Sequence, residues 1–105
     1  MKKSVTNRGF GLIEFIDRYG EPCNIQKSSL ADEDAIWVGV ANPSPQIMAS
    51  DAWKLGVDTD ESTGWIPYPL PKEVLLNSRM HLTREQVLAI LPALQHFVDT
   101  GELPE

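Results

Sequence analysis

The N-terminal third of the chain carries three short segments with the residue pattern of β-strands. Residues 9–16 are rich in β-formers and place apolar side chains on both period-2 faces, as in a strand that is covered on both sides. The turn formers Asp17 and Gly20 separate this segment from residues 23–27, where apolar and polar residues alternate, so the pair predicts a β-hairpin. The apolar run 35–40 is too short for a helix and predicts a third strand.

The last third of the chain predicts a fourth strand followed by one helix. Residues 74–82 return to strand character, and one of their two faces is expected to point to the core. Thr83 and Gln86 match a capping box, after which apolar residues recur with helical spacing up to Gly101. Pro92 lies inside this helix, so a kink or a locally rejoined helix is expected there. The expected core face of the strand is Leu76, Ser78, Met80 and Leu82, and the helical stripe is Val87, Ile90, Leu91, Leu94, Phe97 and Val98.

Two regions lack this periodicity. Residues 1–8 are polar and predict a flexible N-terminus, and residues 41–73 form a long irregular segment rich in proline. Within that segment, Ser50 and Gly56 flank about one helical turn as N-cap and C-terminal glycine. The chain therefore predicts a single α+β domain over residues 1–105, with an antiparallel sheet of about four strands and one C-terminal amphipathic helix packed on it.

Composition removes several classes of function. The 105 residues include 9 Lys and Arg against 15 Asp and Glu, a net charge of −6, which argues against nucleic-acid binding. A single cysteine, Cys23, cannot form an internal disulfide, and with two histidines it cannot complete a structural zinc site. No apolar run is long enough to span a membrane, and the polar start has no signal-peptide pattern, so we expect a cytoplasmic protein without metal or cofactor.

One small cluster of basic and hydroxyl residues is a candidate ligand site. Lys27, Ser28 and Ser29 follow the second strand, and a turn with such groups can hold a phosphate or a carboxylate. Arg79 and His81 share one strand face by period-2 spacing and could join the same anion site. The alternative interpretation of both groups is polar side chains on a solvated strand end and a wet sheet face. We therefore hypothesise that these five residues bind a small anionic, nucleotide-like ligand.

Aromatic residues in the irregular segment are candidates for an interface. Trp53, Trp65 and Tyr68 could anchor a partner, although covering the core under a long loop is an equal alternative. A single helix and sheet of this size bury a modest core, so we expect a homo-oligomer that assembles through an edge strand or these aromatic residues.

The acidic residues support a second hypothesis. The middle third of the chain contains Asp32, Glu33 and Asp34 and, further on, Asp58, Asp60 and Glu61, all in expected loops. Such a surface suits an acidic inhibitor of a host or defence protein, or it is simply solvated. No linear catalytic motif is present, so an enzyme with a site shared between subunits is the third hypothesis.

Three segments of the chain carry a resemblance. In residues 10–30, 36–39 and 79–87 the sequence resembles small uncharacterised proteins of phages, prophages and other mobile elements. The resemblance covers most of the length and implies no catalytic motif or assigned site. In that context, it implies one of two non-enzymatic roles: an oligomeric protein that binds a small nucleotide-like anion, as a counter-defence protein of the phage, or an acidic inhibitor of a host or defence protein.

Overall fold

The chain divides into two compact units. The computed structural model describes residues 1–105 and groups residues 1–41 and 78–105 in a larger unit, with residues 42–77 in a smaller one. The segment that we expected to be irregular therefore largely coincides with a unit of its own. In chain order the elements are β1 (Lys2–Val5), β2 (Gly11–Ile16), β3 (Pro22–Lys27), β4 (Ala35–Val40), β5 (Gln46–Met48), a 3₁₀ helix (Ala49–Leu55), β6 (Trp65–Pro67), β7 (Met80–Thr83) and α1 (Arg84–Thr100).

The larger unit is built on a five-stranded antiparallel sheet in the order β1-β2-β3-β4-β7, followed directly by α1. The predicted α+β class is confirmed. The fifth strand is β1, where we expected a flexible N-terminus. Its four residues are all exposed and include Lys2 and Lys3, so its pairing with β2 comes from backbone hydrogen bonds and leaves no hydrophobic pattern in the sequence.

Strand β7 is shorter than predicted. Residues 74–79 are not in a strand, so Leu76 and Ser78 do not belong to a core-facing strand surface, and Met80 is 54% exposed. Gly39 lies where residues 78 and 79 cross β4, with a φ of 151°. A Cβ atom at Gly39 would lie 2.8 Å from both the Arg79 Cα and the Ser78 carbonyl oxygen, so only glycine admits this crossing.

Pairing register separates the sheet of the larger unit into two chemically different faces. Ile13, Ile25, Val38 and Met80 are aligned across four strands, and Ile36 lies opposite Leu82. We call these six residues the apolar face. The alternate positions bring together Asn24, Gln26, Ser28, Trp37, Arg79 and His81, which we call the polar face.

Helix α1 starts as predicted. The Thr83 hydroxyl accepts a hydrogen bond from the Gln86 N–H, and the Gln86 side chain accepts one from the Thr83 N–H, which completes the capping box. The helix continues through Pro92 to Thr100. None of its residues is buried: Leu94 is 55% exposed and Phe97 is 54% exposed. The expected packing of the stripe on the sheet is therefore absent within one chain. Neither helix is long and apolar enough to cross a membrane.

The smaller unit has its own core. Strands β5 and β6 pair as a two-stranded antiparallel sheet, and Ala49, Ala52 and Ile66 are buried beside them. The expected turn of helix is present as the 3₁₀ helix and ends at Gly56 in the left-handed conformation. Its N-cap residue is Met48, without a side-chain cap, so the prediction of Ser50 as N-cap was wrong.

Candidate functional site

Two aromatic side chains form the centre of the polar face. Trp37 and His81 are directly opposite each other in the register of β4 and β7. Their rings stack with centroids 3.8 Å apart and an interplanar angle of 6°. Trp37 is only half-buried, although its aliphatic neighbours in sequence predict a core residue. Its indole instead belongs to the polar face, where His81 covers one side of the ring.

Arg79 adds a positive charge beside this aromatic pair. Its Nη1 atom donates hydrogen bonds to the Gln26 side-chain oxygen at 3.0 Å and to the Asn24 side-chain oxygen at 3.4 Å. The guanidinium carbon lies 5.2 Å from the centre of the Trp37 ring, within the range of a cation–π contact. The two amides and the indole therefore fix the position of the cation. Gly39 contributes through the close crossing that brings Arg79 to β4.

Ser28 links the end of β3 to His81. The Ser28 hydroxyl lies 2.9 Å from His81 Nε2 and accepts a hydrogen bond from the Leu30 N–H at 3.3 Å. If the hydroxyl donates its own proton to Nε2 of a neutral imidazole, Nδ1 carries the ring proton and can donate it to a ligand. Ser28 is only 4% exposed, the one buried polar residue of the chain. A hydroxyl this inaccessible orients the histidine and does not present a nucleophile to a substrate.

The structure does not bring Lys27 and Ser29 into this cluster. Lys27 pairs with Ile36 in the register, and its ammonium donates a hydrogen bond of 2.8 Å to Asp34. Ser29 lies exposed beyond the end of β3. Of the five predicted anion-site residues, Ser28, Arg79 and His81 share the polar face, whereas Lys27 belongs to the other side of the sheet.

Asp34 is the one acidic residue of its cluster with basic partners. The hydrogen bond from Lys27 and the charge of that ammonium lower the pKa of the Asp34 carboxyl below its ordinary value, and Arg84 at 3.8 Å adds a smaller effect in the same direction. Asp32 and Glu33, which precede it in the sequence, are exposed. In the smaller unit, Asp58, Asp60 and Glu61 are exposed as well. No group of three or more His, Cys, Asp or Glu side chains could hold a metal ion.

The predicted interface residues all belong to the smaller unit. Trp53 is 76% exposed and Trp65 is 65% exposed, while Tyr68 is partly buried and donates its backbone N–H to the Pro45 carbonyl. The partly buried residues that pack against the small core of Ala49, Ala52 and Ile66 are Ile47 and Val57. Their use as an interface stays a prediction.

Sequence reasoning missed four contributors to the polar face: Asn24, Gln26, Trp37 and Gly39. The alternation of polar and apolar residues in β3 carried the signal for the two amides, because it places them on the face opposite Ile25. The pattern of apolar and polar residues does not show that β4 pairs with β7. The stacking of His81 on Trp37 therefore could not be predicted from it.

Comparisons with protein-family models, with curated proteins and with solved structures found no match to this chain.

Proposed function

We propose that this protein is a non-enzymatic binding module that captures a small anionic ligand with a planar ring, such as a nucleotide, on the polar face. The observation that carries the proposal is the placement of the Arg79 guanidinium 5.2 Å from the centre of the same Trp37 indole on which His81 stacks. A guanidinium recognises phosphate or carboxylate oxygens through charge-assisted hydrogen bonds. The exposed imidazole of His81, stacked on the indole, offers an aromatic surface on which a base can stack.

Hydrogen bonds from neighbouring side chains hold the two binding groups in place, which supports a preformed site. The amides of Asn24 and Gln26 hold Arg79, and the buried Ser28 hydroxyl holds His81, so both groups are positioned before a ligand arrives. A site that is ordered in advance loses less conformational entropy when it binds. The remainder of the chain is acidic, with a net charge of −6, so the cation of Arg79 gives this face a local preference for anions that the whole protein lacks.

In the mobile-element context implied by the sequence resemblance, the proposed activity would remove a nucleotide from solution by stoichiometric capture. Such capture needs no turnover, and the hydroxyl of the polar face, on Ser28, is buried and serves to orient His81. The biological consequence we propose is interference with a host defence that depends on such a ligand.

Calorimetric titration with a panel of nucleoside mono- and diphosphates tests this proposal. We expect saturable binding that weakens with rising salt, and an affinity loss of about 10- to 100-fold in Arg79→Met, because a charge-assisted hydrogen bond contributes about 1.5–3 kcal/mol. Arg18→Met is the matched control: it removes the same charge from the exposed turn after β2 and should bind as the unaltered protein does. Equal affinities in the two variants, or no heat with any nucleotide, would contradict the proposal, and turnover of a nucleotide would indicate an enzyme.

A further inference from the structure

The larger unit does not close a hydrophobic core within one chain. Its only buried apolar residues are Cys23 and Ala35, both with small side chains. The central residues of the apolar face, Ile13, Ile25 and Val38, are each only partly buried. The stripe of α1 is likewise exposed from Ile90 to Val98, and only Val87 at its start is partly buried. Two apolar surfaces of matching character thus lie uncovered in the same unit.

The chain exposes more surface than folded monomers of its mass usually do. The chain exposes 8681 Å². The solvent-accessible surface of folded monomers increases with their mass in a known way. Two separate folded bodies of about 7.7 and 4.0 kDa, the masses of the two units, would together expose about 7,000 Å². The excess is about 1,700 Å² per chain, and two chains that each covered this excess would bury about 3,400 Å², within the range of about 2,000–5,000 Å² for obligate homodimers.

The junction between β7 and α1 leaves only the start of the stripe beside its own sheet. No loop residue separates Thr83, the last residue of β7, from Arg84, the first residue of α1. The capping box at Thr83 and Gln86 fixes the start of the helix through two reciprocal hydrogen bonds. The helix thus begins without a connecting segment, and most of its stripe stays exposed.

We infer that a second copy of this chain covers both surfaces, with the α1 stripe of each copy packed across the apolar face of its partner. Dimensions match this arrangement, because 17 helical residues extend about 25 Å and five strands at about 4.8 Å spacing are about 20–24 Å wide. An apolar groove of about 830 Å³, lined by Ile36, Leu82, Val87, Leu88 and Leu91, opens between the start of α1 and the sheet and can receive side chains of the partner.

Charges at the ends of the two surfaces are complementary. The C-terminal end of α1 carries Asp99, and Glu102 follows it, whereas Lys3 of the edge strand β1 pairs with Ile13 and so lies on the apolar face. An acidic helix end that lies over a basic edge strand gains favourable electrostatics in one orientation only. The arrangement leaves the polar face of each copy open, so it does not depend on the proposed ligand.

Sedimentation velocity at micromolar concentration tests the inference on the full chain. We expect a species of twice 11.7 kDa. Leu94→Arg should raise the dimer dissociation constant by about 30-fold or more, the effect of losing an interface hot spot. Leu75→Arg is the matched control, because Leu75 is 89% exposed in the smaller unit and should leave the dimer unchanged.

A monomeric unaltered protein would overturn the inference. So would a dimer that survives Leu94→Arg but dissociates when Trp53 and Trp65 are both replaced by alanine. If Leu94→Arg does not fold, dimers mixed from ¹³C-labelled and unlabelled chains decide the matter. Intermolecular NOEs between Leu94 or Phe97 and Val38 of the partner subunit would support packing of each α1 stripe on the sheet of the other copy. Their absence would contradict it.

Discussion

The imidazole of His81 lies parallel to the indole of Trp37, 3.8 Å away between ring centroids, across the pairing of β4 with β7. This stack joins the last strand of the sheet to an interior strand through side chains as well as backbone. It also presents two ring systems beside the guanidinium of Arg79. The same contact therefore contributes to both the stability of the sheet and the proposed recognition of a ligand.

The stack should be measurable as a coupling energy. In a double-mutant cycle of Trp37→Leu and His81→Ala, we expect an interaction of about 0.5–1.5 kcal/mol in the free energy of unfolding, the usual value for aromatic pairs. Chemical denaturation of the four proteins at a fixed chain concentration measures it. A cycle that pairs Trp37→Leu with Arg18→Met is the control and should show additive effects.

Gly39→Ala should displace Arg79 from its position on the polar face. The added methyl group would meet the backbone of residues 78 and 79 at 2.8 Å, so we expect a loss of about 1–3 kcal/mol in stability together with weaker nucleotide binding. Gly20→Ala separates the two causes, because Gly20 also has a positive φ, of 84°, but has no atom within 4 Å of the added Cβ. A binding loss of the same size in Gly20→Ala would show that Gly39 has no specific effect on Arg79.

The pKa of Asp34 should report its pairing with Lys27. This pKa is lower in the folded protein than in the unfolded chain, so the pairing favours the folded state at pH values above the unfolded pKa, and this contribution disappears as the pH falls through the folded pKa. We expect Lys27→Met to raise the Asp34 pKa in an NMR titration of the carboxyl carbon. Arg84→Met should raise it by a smaller amount, since Arg84 is the weaker influence. An unchanged pKa in Lys27→Met would place Lys27 away from Asp34.

Thr83→Ala should test the junction that starts α1. Loss of the N-cap hydroxyl typically costs about 1 kcal/mol, and here it also removes one half of the capping box. Thermal and urea denaturation measure the change. Thr63→Ala, in an exposed loop of the smaller unit, should have almost no effect. Equal effects at the two positions would mean that the cap does not hold the helix.

Local patterns predicted much of the fold. The hairpin of β2 and β3, strand β4 and the capped helix each follow from turn formers, period-2 alternation or a capping box within a few residues. Strand β1 was not predicted, because an exposed edge strand buries no side chains and so shows no alternation. The stripe of α1 predicted the helix but not that most of the stripe would be exposed within one chain, because an amphipathic pattern does not specify which surface covers its apolar side.

The candidate site was predictable in part. Period-2 geometry placed Arg79 and His81 on one face, which the structure reproduces. The same geometry places Lys27 and Ser28 on opposite faces, because they are neighbours in an extended chain, so they could not both join the site. The contributions of Trp37 and Gly39 depend on the pairing of distant strands, which short-range patterns do not encode.

The indole N–H signals of the three tryptophans test the proposed binding most directly. In a ¹H–¹⁵N NMR titration with a nucleoside monophosphate, binding on the polar face should shift the Trp37 signal and leave Trp53 and Trp65, both in the smaller unit, unchanged. The Trp37 shift should saturate with the ligand, should need about 10- to 100-fold more ligand in Arg79→Met, and should be unchanged in Arg18→Met. A titration in which Trp37 does not move across the nucleotide panel, or in which only Trp53 and Trp65 move, would contradict the proposed site.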